Sequence, residues 1–201
     1  MINDHVRFND AIALFDTANA EDPNRETADG REYPKELLYA QRMSEMLERY
    51  TADASEALQL AVRCQHIQRW KIPRADYPMT RAGYHQWRTR LRDFHADVAG
   101  ALLRDVGYDD ETIDRVSTLV KKEHLQQDAE VQTLEDVIVL VFLESYLEDF
   151  VRTHPEYDEA KLIDILRKSL RKMSARGREA ALTIIELPPA LLPTIQKAVQ
   201  T

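Results

Sequence analysis

The chain has 201 residues, which is enough for one well-cored domain. Its five glycines, 44% hydrophobic and 31% charged residues are typical of a soluble helical protein and argue against a disordered or sheet-rich chain. The formal net charge of −8 argues against a general nucleic-acid-binding protein, and the single cysteine, Cys64, excludes an intramolecular disulfide and indicates a reducing compartment.

Neither a targeting signal nor a membrane span is predicted. The N-terminal sequence MINDHVRFND lacks the apolar segment of a signal peptide. The most apolar run, VIVLVFL at 137–143, is too short to span a bilayer and is flanked by acids. We therefore expect a cytoplasmic protein with no membrane association.

Apolar residues at helical spacing run through most of the chain. They predict helices over the segments 6–20, 34–50, 55–70, 80–106, 109–125, 130–154 and 158–177, with a proline-rich turn and a short last helix in 186–199. The polar segment 21–34 contains proline and glycine and is predicted to be a loop. The segment KIPRADYPM, with two prolines, is predicted to be a second loop. No segment is predicted to form a strand.

Positive charge is concentrated in one segment, residues 63–92. This segment holds eight Lys/Arg residues and one acid, Asp76, so its net charge of +7 leaves −15 on the rest of the chain. Confinement of the positive charge to one segment favours a small anionic or phosphorylated ligand over nucleic acid. The planar guanidinium group binds phosphate or carboxylate oxygens in a bidentate way, which makes the arginines the candidate anion-binding groups.

Aromatic side chains accompany these arginines. Arg81 and Arg88 lie two helical turns apart and share a helix face with Tyr84. Tyr84 and Trp87 could form an aromatic wall for a base or sugar; the alternative is a solvated arginine face with the aromatic residues packed beneath it. The predicted ligand-binding residues are Arg63, Gln65, Arg69, Arg74, Tyr77, Arg81, Tyr84, Arg88 and Lys122.

Three titratable residues on different predicted elements are candidates for catalysis or for binding a divalent metal: His66, His95 and Asp136. Imidazoles and a carboxylate from separate helices can converge in a helical bundle. Asp136 precedes a run of seven apolar residues, at the edge of a buried region where a carboxylate needs a partner. A satisfied core histidine and an acidic helix N-terminus are the alternative interpretations.

Two motifs on predicted helices are similar to a known enzyme superfamily. SEALQLAVRCQHIQRW places His66 at a helix end, and LEDVIVLVFLE places Asp136 on a core helix. With these motifs, residues 36–144 resemble the HD-domain superfamily of helical metal-dependent phosphohydrolases, and His95 and His124 match its accessory histidines. The resemblance implies an all-α fold, a divalent metal and hydrolysis of a phosphorylated or nucleotide-like small molecule.

The sequence departs from the HD pattern at two ligand positions. Ile67 stands where the aspartate of the His-Asp pair is expected, and Leu38 or Tyr39 stands where the first histidine is expected. Of the four core metal ligands in the HD pattern, this sequence keeps two, His66 and Asp136. The resemblance therefore implies at most a rebuilt metal site, with His95 as the third ligand.

Longer motifs cover nearly the whole chain: FDTANAEDPN, PKELLYAQRM, QHIQRWKIPRADYPMTRAGYHQWR, FHADVAG, QTLEDVIVLVFLE and LRKSLRKMSARGREAAL. With them the chain is identified as a member of domain of unknown function family 4202. Membership in this family implies no particular reaction. We predict a single all-α domain over residues 1–201 with about seven to nine helices. It would have an HD-like core at about 34–152 and C-terminal helices at 157–199 packed on it.

Three functions are compatible with the sequence. The first is a metal-dependent hydrolase in which His66, His95 and Asp136 hold the metal or act as acid and base. The second is a non-catalytic module, derived from an HD fold, that binds an anionic ligand. The third is a scaffold in which the same histidine, aspartate and arginines form a buried ionic network. The sequence does not define an oligomeric state.

Overall fold

A computed structural model describes residues 4–199. Within this part of the chain there are ten α-helices and one antiparallel two-stranded sheet, so the predicted helical fold class is confirmed in outline. In chain order the elements are α1 (Asp4–Ala20), β1 (Arg25–Ala28), β2 (Arg31–Pro34), α2 (Lys35–Tyr50), α3 (Glu56–Cys64), α4 (Arg81–Asp105), α5 (Asp110–Lys121), α6 (Ala129–Val141), α7 (Leu147–Thr153), α8 (Glu159–Leu170), α9 (Ala175–Thr183) and α10 (Leu192–Val199).

The described residues divide into two compact units. The first comprises residues 4–45 and 53–123, and the second comprises 46–52 and 124–199. Helix α2 begins in the first unit and ends in the second. Residues 34–152, which the sequence predicted as the HD-like core of one domain, include parts of both units, and the predicted domain organisation stays a prediction.

The first unit is built on helix packing. Helix α5 packs on α3 and α4, and α1 packs on the same two helices. Fully buried apolar side chains from each helix fill the space between them: Phe15, Leu60, Leu91, Leu103 and Leu119. Side-chain caps fix three helix starts, because Ser55, Thr80 and Asp109 each accept a hydrogen bond from a first-turn N–H.

The prediction of a loop over 21–34 is wrong from residue 25 onward. Strands β1 and β2 pair antiparallel there, with Ala28 opposite Arg31. Asp29 and Gly30 form the connection, with positive φ angles of 50° and 72°. A two-residue turn of this kind matches the twist of paired strands, and Asp-Gly is one of its favoured sequences. The signal was present in the sequence but lay among polar residues that carried no strand pattern.

The segment between α3 and α4 is a loop, as the prolines predict. It contains two single 3₁₀ turns, at Arg69–Lys71 and Arg74–Asp76. Gln68, just before the first turn, has a left-handed φ of 51°, and its N–H donates to Oδ1 of the fully buried Asn19 at 2.9 Å. This hydrogen bond attaches the loop that carries Arg69 to the C-terminal end of α1.

The second unit has its own core. Helix α9 packs on α6, and α10 packs on α8. The apolar run of α6 is buried, as its sequence indicates, and a π-helical turn at Phe142–Tyr146 connects it to α7. The proline-rich turn and the short last helix predicted for the tail are present as a 3₁₀ turn at Pro189–Leu191 followed by α10. None of the described helices is long and apolar enough to cross a membrane.

Candidate functional site

His66 lies in the turn that follows α3, where two charged groups hold its imidazole. Nδ1 is 3.4 Å from Oε2 of Glu36, and Nε2 is 3.3 Å from Nη1 of Arg69. Because a guanidinium only donates hydrogen bonds, Nε2 must accept, and the ring proton then belongs on Nδ1, facing the carboxyl group. Burial, followed by the charge of Arg69, lowers the pKa of His66 well below its ordinary value, so this imidazole is neutral at physiological pH.

Glu36 lies in the first turn of α2, with its side chain only 9% exposed. Oδ2 of Asp22 accepts a hydrogen bond from the Glu36 N–H at 3.0 Å and so caps the start of the helix. Burial raises the pKa of Glu36 from 4.5 to about 7, because Arg69, 3.9 Å away, offsets only part of the desolvation. This carboxyl group can therefore donate or accept a proton near neutral pH.

Tyr39 and Gln65 fix the orientation of the imidazole from a third side. Tyr39 is three residues after Glu36 on α2, so both face the same way. Its ring stacks on His66 with the centroids 4.2 Å apart and the planes 15° from parallel. Its hydroxyl donates to Oε1 of the buried Gln65 at 3.0 Å. His66 is thereby held in one orientation before any ligand binds.

His95 on α4 is 2% exposed, and its ring centroid is 5.9 Å from that of His66. Nδ1 is 2.7 Å from the carbonyl oxygen of Ile67, so Nδ1 carries the proton and donates it. Nε2 is buried and has no hydrogen-bond partner among the described residues. Burial lowers the pKa of His95 to about 3, with Arg69 and Arg88 contributing, although the bond to Ile67 opposes the shift. The ring therefore presents an unprotonated Nε2.

His95 is one of the residues that line a small space, which we call the inner cavity. Its volume is about 10 Å³, close to the minimum that holds one water molecule. The lining residues are Gln65, His66, Arg69, Arg88, Leu91, Arg92, His95 and Val120. The cavity therefore combines two neutral imidazoles with three guanidinium groups.

A larger space, the basic cleft, has a volume of about 450 Å³. It is lined by Asn24, Arg25, Lys35, Glu36, Arg69, Trp70, Ile72, Pro73, Arg74 and Trp87. Four of these residues are cationic, two are tryptophans and one carries the buried carboxyl group. Arg69 lines both this cleft and the inner cavity, so it is the residue that the two spaces share.

The arginines of the basic cleft are held by aromatic and backbone contacts. The guanidinium of Arg69 lies 4.8 Å from the ring centroid of Trp87, and that of Arg74 lies 5.9 Å from it. Arg74 also donates to the carbonyl oxygens of Tyr77 and Pro78, at 3.0 and 2.8 Å. Trp87 in turn donates from Nε1 to the carbonyl oxygen of Ile72 at 2.9 Å. These contacts place the charged groups without neutralising them.

The structure brings together five of the nine predicted ligand-binding residues at the two spaces or their rim: Gln65, Arg69, Arg74, Arg88 and, through its backbone carbonyl, Tyr77. Arg63 instead makes a bidentate pair with Asp16, at 2.7 and 2.6 Å. Arg81 and Tyr84 are exposed and outside both linings, and Lys122 follows α5 in a left-handed conformation. Lys122 is nevertheless one of the charges that lower the pKa of His66.

Asp136 lies in the second unit, 1% exposed, where it holds the start of α9. Its carboxylate accepts hydrogen bonds from the N–H and Oγ of Ser174 at 2.8 and 2.5 Å, from the hydroxyl of Tyr50 at 2.8 Å and from Nε2 of Gln132 at 3.0 Å. A Cβ on Gly177 would lie 2.5 Å from its Cγ, so only glycine fits there. Burial raises the pKa of Tyr50, which keeps its hydroxyl a donor. These contacts give Asp136 a structural role within its own unit.

In the part of the chain that the structure covers, no group of three or more His, Cys, Asp or Glu side chains is placed to hold a metal ion. The surroundings of His66 and His95 are also unfavourable for a cation. Arg69 already donates to Nε2 of His66, and Arg88 lines the same inner cavity. A divalent ion there would lie among guanidinium groups and would be repelled by them. The contacts therefore do not support the predicted three-residue metal site, which stays a prediction.

Sequence reasoning missed Glu36, which contributes the carboxyl group of the site. In the HD pattern the ligand expected in this part of the chain is a histidine at the position of Leu38 or Tyr39, whereas the carboxyl group is on Glu36, which shares the face of α2 that carries Tyr39. Sequence reasoning also missed the contribution of the hairpin segment to the basic cleft, through Asn24, Arg25 and Lys35. These residues lie outside the basic segment 63–92, and only tertiary structure brings them to it.

The fold and the site define a helical protein with a buried Glu-His-Arg-His cluster beside a basic cleft. The chain belongs to the family described as Domain of unknown function (DUF4202), which matches residues 9–195. The family assignment made from the six sequence motifs is therefore confirmed. Neither the curated proteins nor the solved structures include a match to this chain.

Proposed function

We propose that the first unit binds a small molecule carrying a phosphate or carboxylate group in the basic cleft. The observation that carries the proposal is the lining of this cleft, in which four cations face one buried carboxyl group in a volume of about 450 Å³. That volume is within the usual range for small-molecule sites. An excess of fixed positive charge in a partly enclosed space attracts and concentrates anions.

The arrangement of the cleft favours a ligand with both an anionic group and a flat ring. Arg69 and Arg74 are held by contacts to Trp87 and to backbone carbonyls, so their planar donors are preorganised for bidentate binding. Trp70 and Trp87 contribute apolar ring surface to the same lining. A phosphorylated or nucleotide-like metabolite has this combination of groups, whereas the net charge of −8 disfavours a nucleic acid.

An HD-derived ancestry is part of the proposal. The helical fold and the position of His66 after α3 support it, since the HD pattern has a histidine at this helix end. In this chain Ile67 is fully buried and Glu36 faces His66, so the pattern of side chains differs from that of a metal-dependent HD enzyme. The proposed binding function uses no metal.

Neutralising a cation of the basic cleft is expected to weaken the binding of inorganic phosphate. Arg25→Gln and Lys35→Gln change exposed side chains in the lining, and each removes one charge-assisted contact. Each variant should raise the Kd for phosphate about tenfold in isothermal titration calorimetry.

The matched control is Arg81→Gln, which removes the same charge from an exposed position outside the cleft. It should leave the Kd within about twofold of that of the unaltered protein, as expected for a screened surface charge. Equal losses in all three variants would show that phosphate responds to net charge alone and would refute a defined site in the cleft.

Sulfate affinity is expected to fall as the pH rises through about 7. Sulfate keeps its charge in this range, so the change reports on the protein. Glu36, with its pKa raised to about 7 by burial, is neutral below this pH and adds a negative charge beside Arg69 above it. The loss should be about tenfold between pH 6 and pH 8, and Glu36→Gln should abolish the dependence. An identical dependence in the variant would assign it to another group.

A second candidate function is hydrolysis of the bound phosphate ester. The specific observation in its favour is that Glu36 lines the basic cleft, that His95, with its unpartnered Nε2, lines the inner cavity, and that Arg69 lines both. A group that can donate a proton and a group that can accept one are the parts that acid-base catalysis needs.

A further inference from the structure

The inner cavity has one feature that a simple binding site does not require. Nε2 of His95 is buried, carries a lone pair and has no partner in the described part of the chain. A buried acceptor without a partner is costly, by about 1–3 kcal/mol in mutational studies, and such groups are often functional. His95 lines the cavity of about 10 Å³, a volume close to the minimum that holds one water molecule, and a water molecule there would donate a hydrogen bond to Nε2.

The other polar groups of the inner cavity are suited to negative charge. Arg69, Arg88 and Arg92 line it, and guanidinium groups stabilise an oxygen that is losing its proton. His66 is neutral and already accepts from Arg69, so it does not compete for the proton of a water molecule at His95. The cavity therefore has one available base and several groups that favour hydroxide.

Arg69 relates this water position to the ligand. Its guanidinium lines both the inner cavity and the basic cleft, and its Nε faces Glu36 in the cleft lining. A phosphate group bound to Arg69 in the cleft would consequently lie next to a water molecule on the inner side. Glu36 lies on the cleft side, where the leaving group of an ester would be.

We propose that His95 is a catalytic base that activates a water molecule for attack on a phosphate monoester bound in the basic cleft. This inference rests on the proposed function of the cleft. The water oxygen forms a bond to phosphorus while its proton passes to Nε2 of His95, and the bond from phosphorus to the ester oxygen breaks. The carboxyl group of Glu36 gives its proton to that oxygen, so the products are an alcohol and inorganic phosphate. Solvent then returns a proton to Glu36 and takes one from His95.

The ligand itself would make the base competent. In the unliganded protein the pKa of His95 is about 3, mainly because of burial, with the charges of Arg69 and Arg88 adding to the shift. A bound phosphate dianion offsets those two charges and so raises the pKa of the imidazole. Proton transfer to His95 is therefore easier when the substrate is in place.

The test uses the full chain and two substrates, 4-nitrophenyl phosphate and glycerol 2-phosphate. His95→Gln should lower kcat for both about 100-fold or more, the usual contribution of a general base, with KM within about threefold. Glu36→Gln should lower kcat for glycerol 2-phosphate at least about tenfold more than for 4-nitrophenyl phosphate, because an alkoxide needs a proton to leave and a nitrophenolate does not. Arg90→Gln, which removes the same charge from an exposed position of α4 outside both linings, is the matched control and should keep the kcat of the unaltered protein.

Failure of this inference can be separated from failure of the binding proposal. If phosphate binds but neither ester is hydrolysed, the proposed binding function of the cleft is supported and the catalytic role of His95 is refuted. Full kcat in a folded His95→Gln protein refutes it as well. If that variant does not fold, ¹⁵N NMR of the unaltered protein with orthovanadate decides. An Nδ1-protonated imidazole that gains a second proton when vanadate binds supports the inference, and unchanged imidazole resonances overturn it.

Discussion

Replacing Asp136 with alanine is expected to lower the free energy of unfolding of the second unit by about 3–5 kcal/mol. The carboxylate is buried and accepts four hydrogen bonds, from Ser174, Tyr50 and Gln132. Its removal leaves the Ser174 N–H and the Tyr50 hydroxyl without their acceptor, and each buried unpaired donor costs about 1–3 kcal/mol. Urea denaturation followed by circular dichroism at neutral pH measures the change.

Asp128→Ala is the matched control for this prediction. Asp128 is also an aspartate of the second unit that caps a helix start, since its Oδ1 accepts from the N–H groups of Glu130 and Val131. It is the half-buried N-cap of α6, so its loss should cost about 1 kcal/mol. A loss for Asp136→Ala no larger than that of Asp128→Ala would mean that the buried network does not hold α9 in place.

Asp136 also shows how far the sequence could go. The acids before the apolar run of α6 indicated a carboxylate at the edge of a buried region that needs a partner, and that expectation is met. The partner could not be predicted, because Ser174 is 38 residues away and no local pattern relates the two. The sequence therefore indicated that this carboxylate needs a partner, but the groups that hydrogen-bond it are Ser174, Tyr50 and Gln132 and not the histidines of the predicted metal site.

The two histidines of the predicted site do lie close together. His66 and His95 were assigned to one site, and their rings lie 5.9 Å apart in the first unit. What the sequence could not show is which neighbour each nitrogen faces, and these neighbours determine the chemistry. A carbonyl oxygen of Ile67 and a guanidinium of Arg69 set the two tautomers, and both contacts depend on the loop that follows α3.

The distribution of charge along the sequence identifies the basic segment 63–92, but it does not show which of its cations are neutralised by an acidic side chain in the folded protein. Arg63 is neutralised by Asp16 from α1, a residue far from it in sequence. Conversely, Arg25 and Lys35 reach the cleft from outside the segment because the β1–β2 hairpin and the start of α2 carry them there. Long-range pairing and the unpredicted hairpin therefore account for most of the difference between the predicted ligand-binding residues and the lining of the basic cleft.

Replacing Glu36 with glutamine is expected to stabilise the protein at alkaline pH. The folded protein raises the pKa of this carboxyl group from 4.5 to about 7, mainly through burial. Between these two pH values the folded state binds more protons at Glu36 than the unfolded state does, so stability falls as the pH rises through this window. Above pH 7 the full cost of about 3 kcal/mol is present, because the group is then buried and charged. Below pH 4.5 the cost vanishes.

Glutamine keeps the shape of the side chain but never ionises, so Glu36→Gln should remove this pH dependence. The difference in unfolding free energy between the variant and the unaltered protein should grow by about 3 kcal/mol from pH 4.5 to pH 8, as followed by urea denaturation. Glu32→Gln, at an exposed position of β2, is the matched control for removing one carboxyl group. If the two variants give the same curve, the charge of Glu36 costs the fold nothing. A site that donates protons would retain a buried carboxyl group beside Arg69 and His66 even though this group lowers the stability of the fold at neutral pH. A purely structural network would not need to bear this cost, so the cost distinguishes the proposed site from such a network.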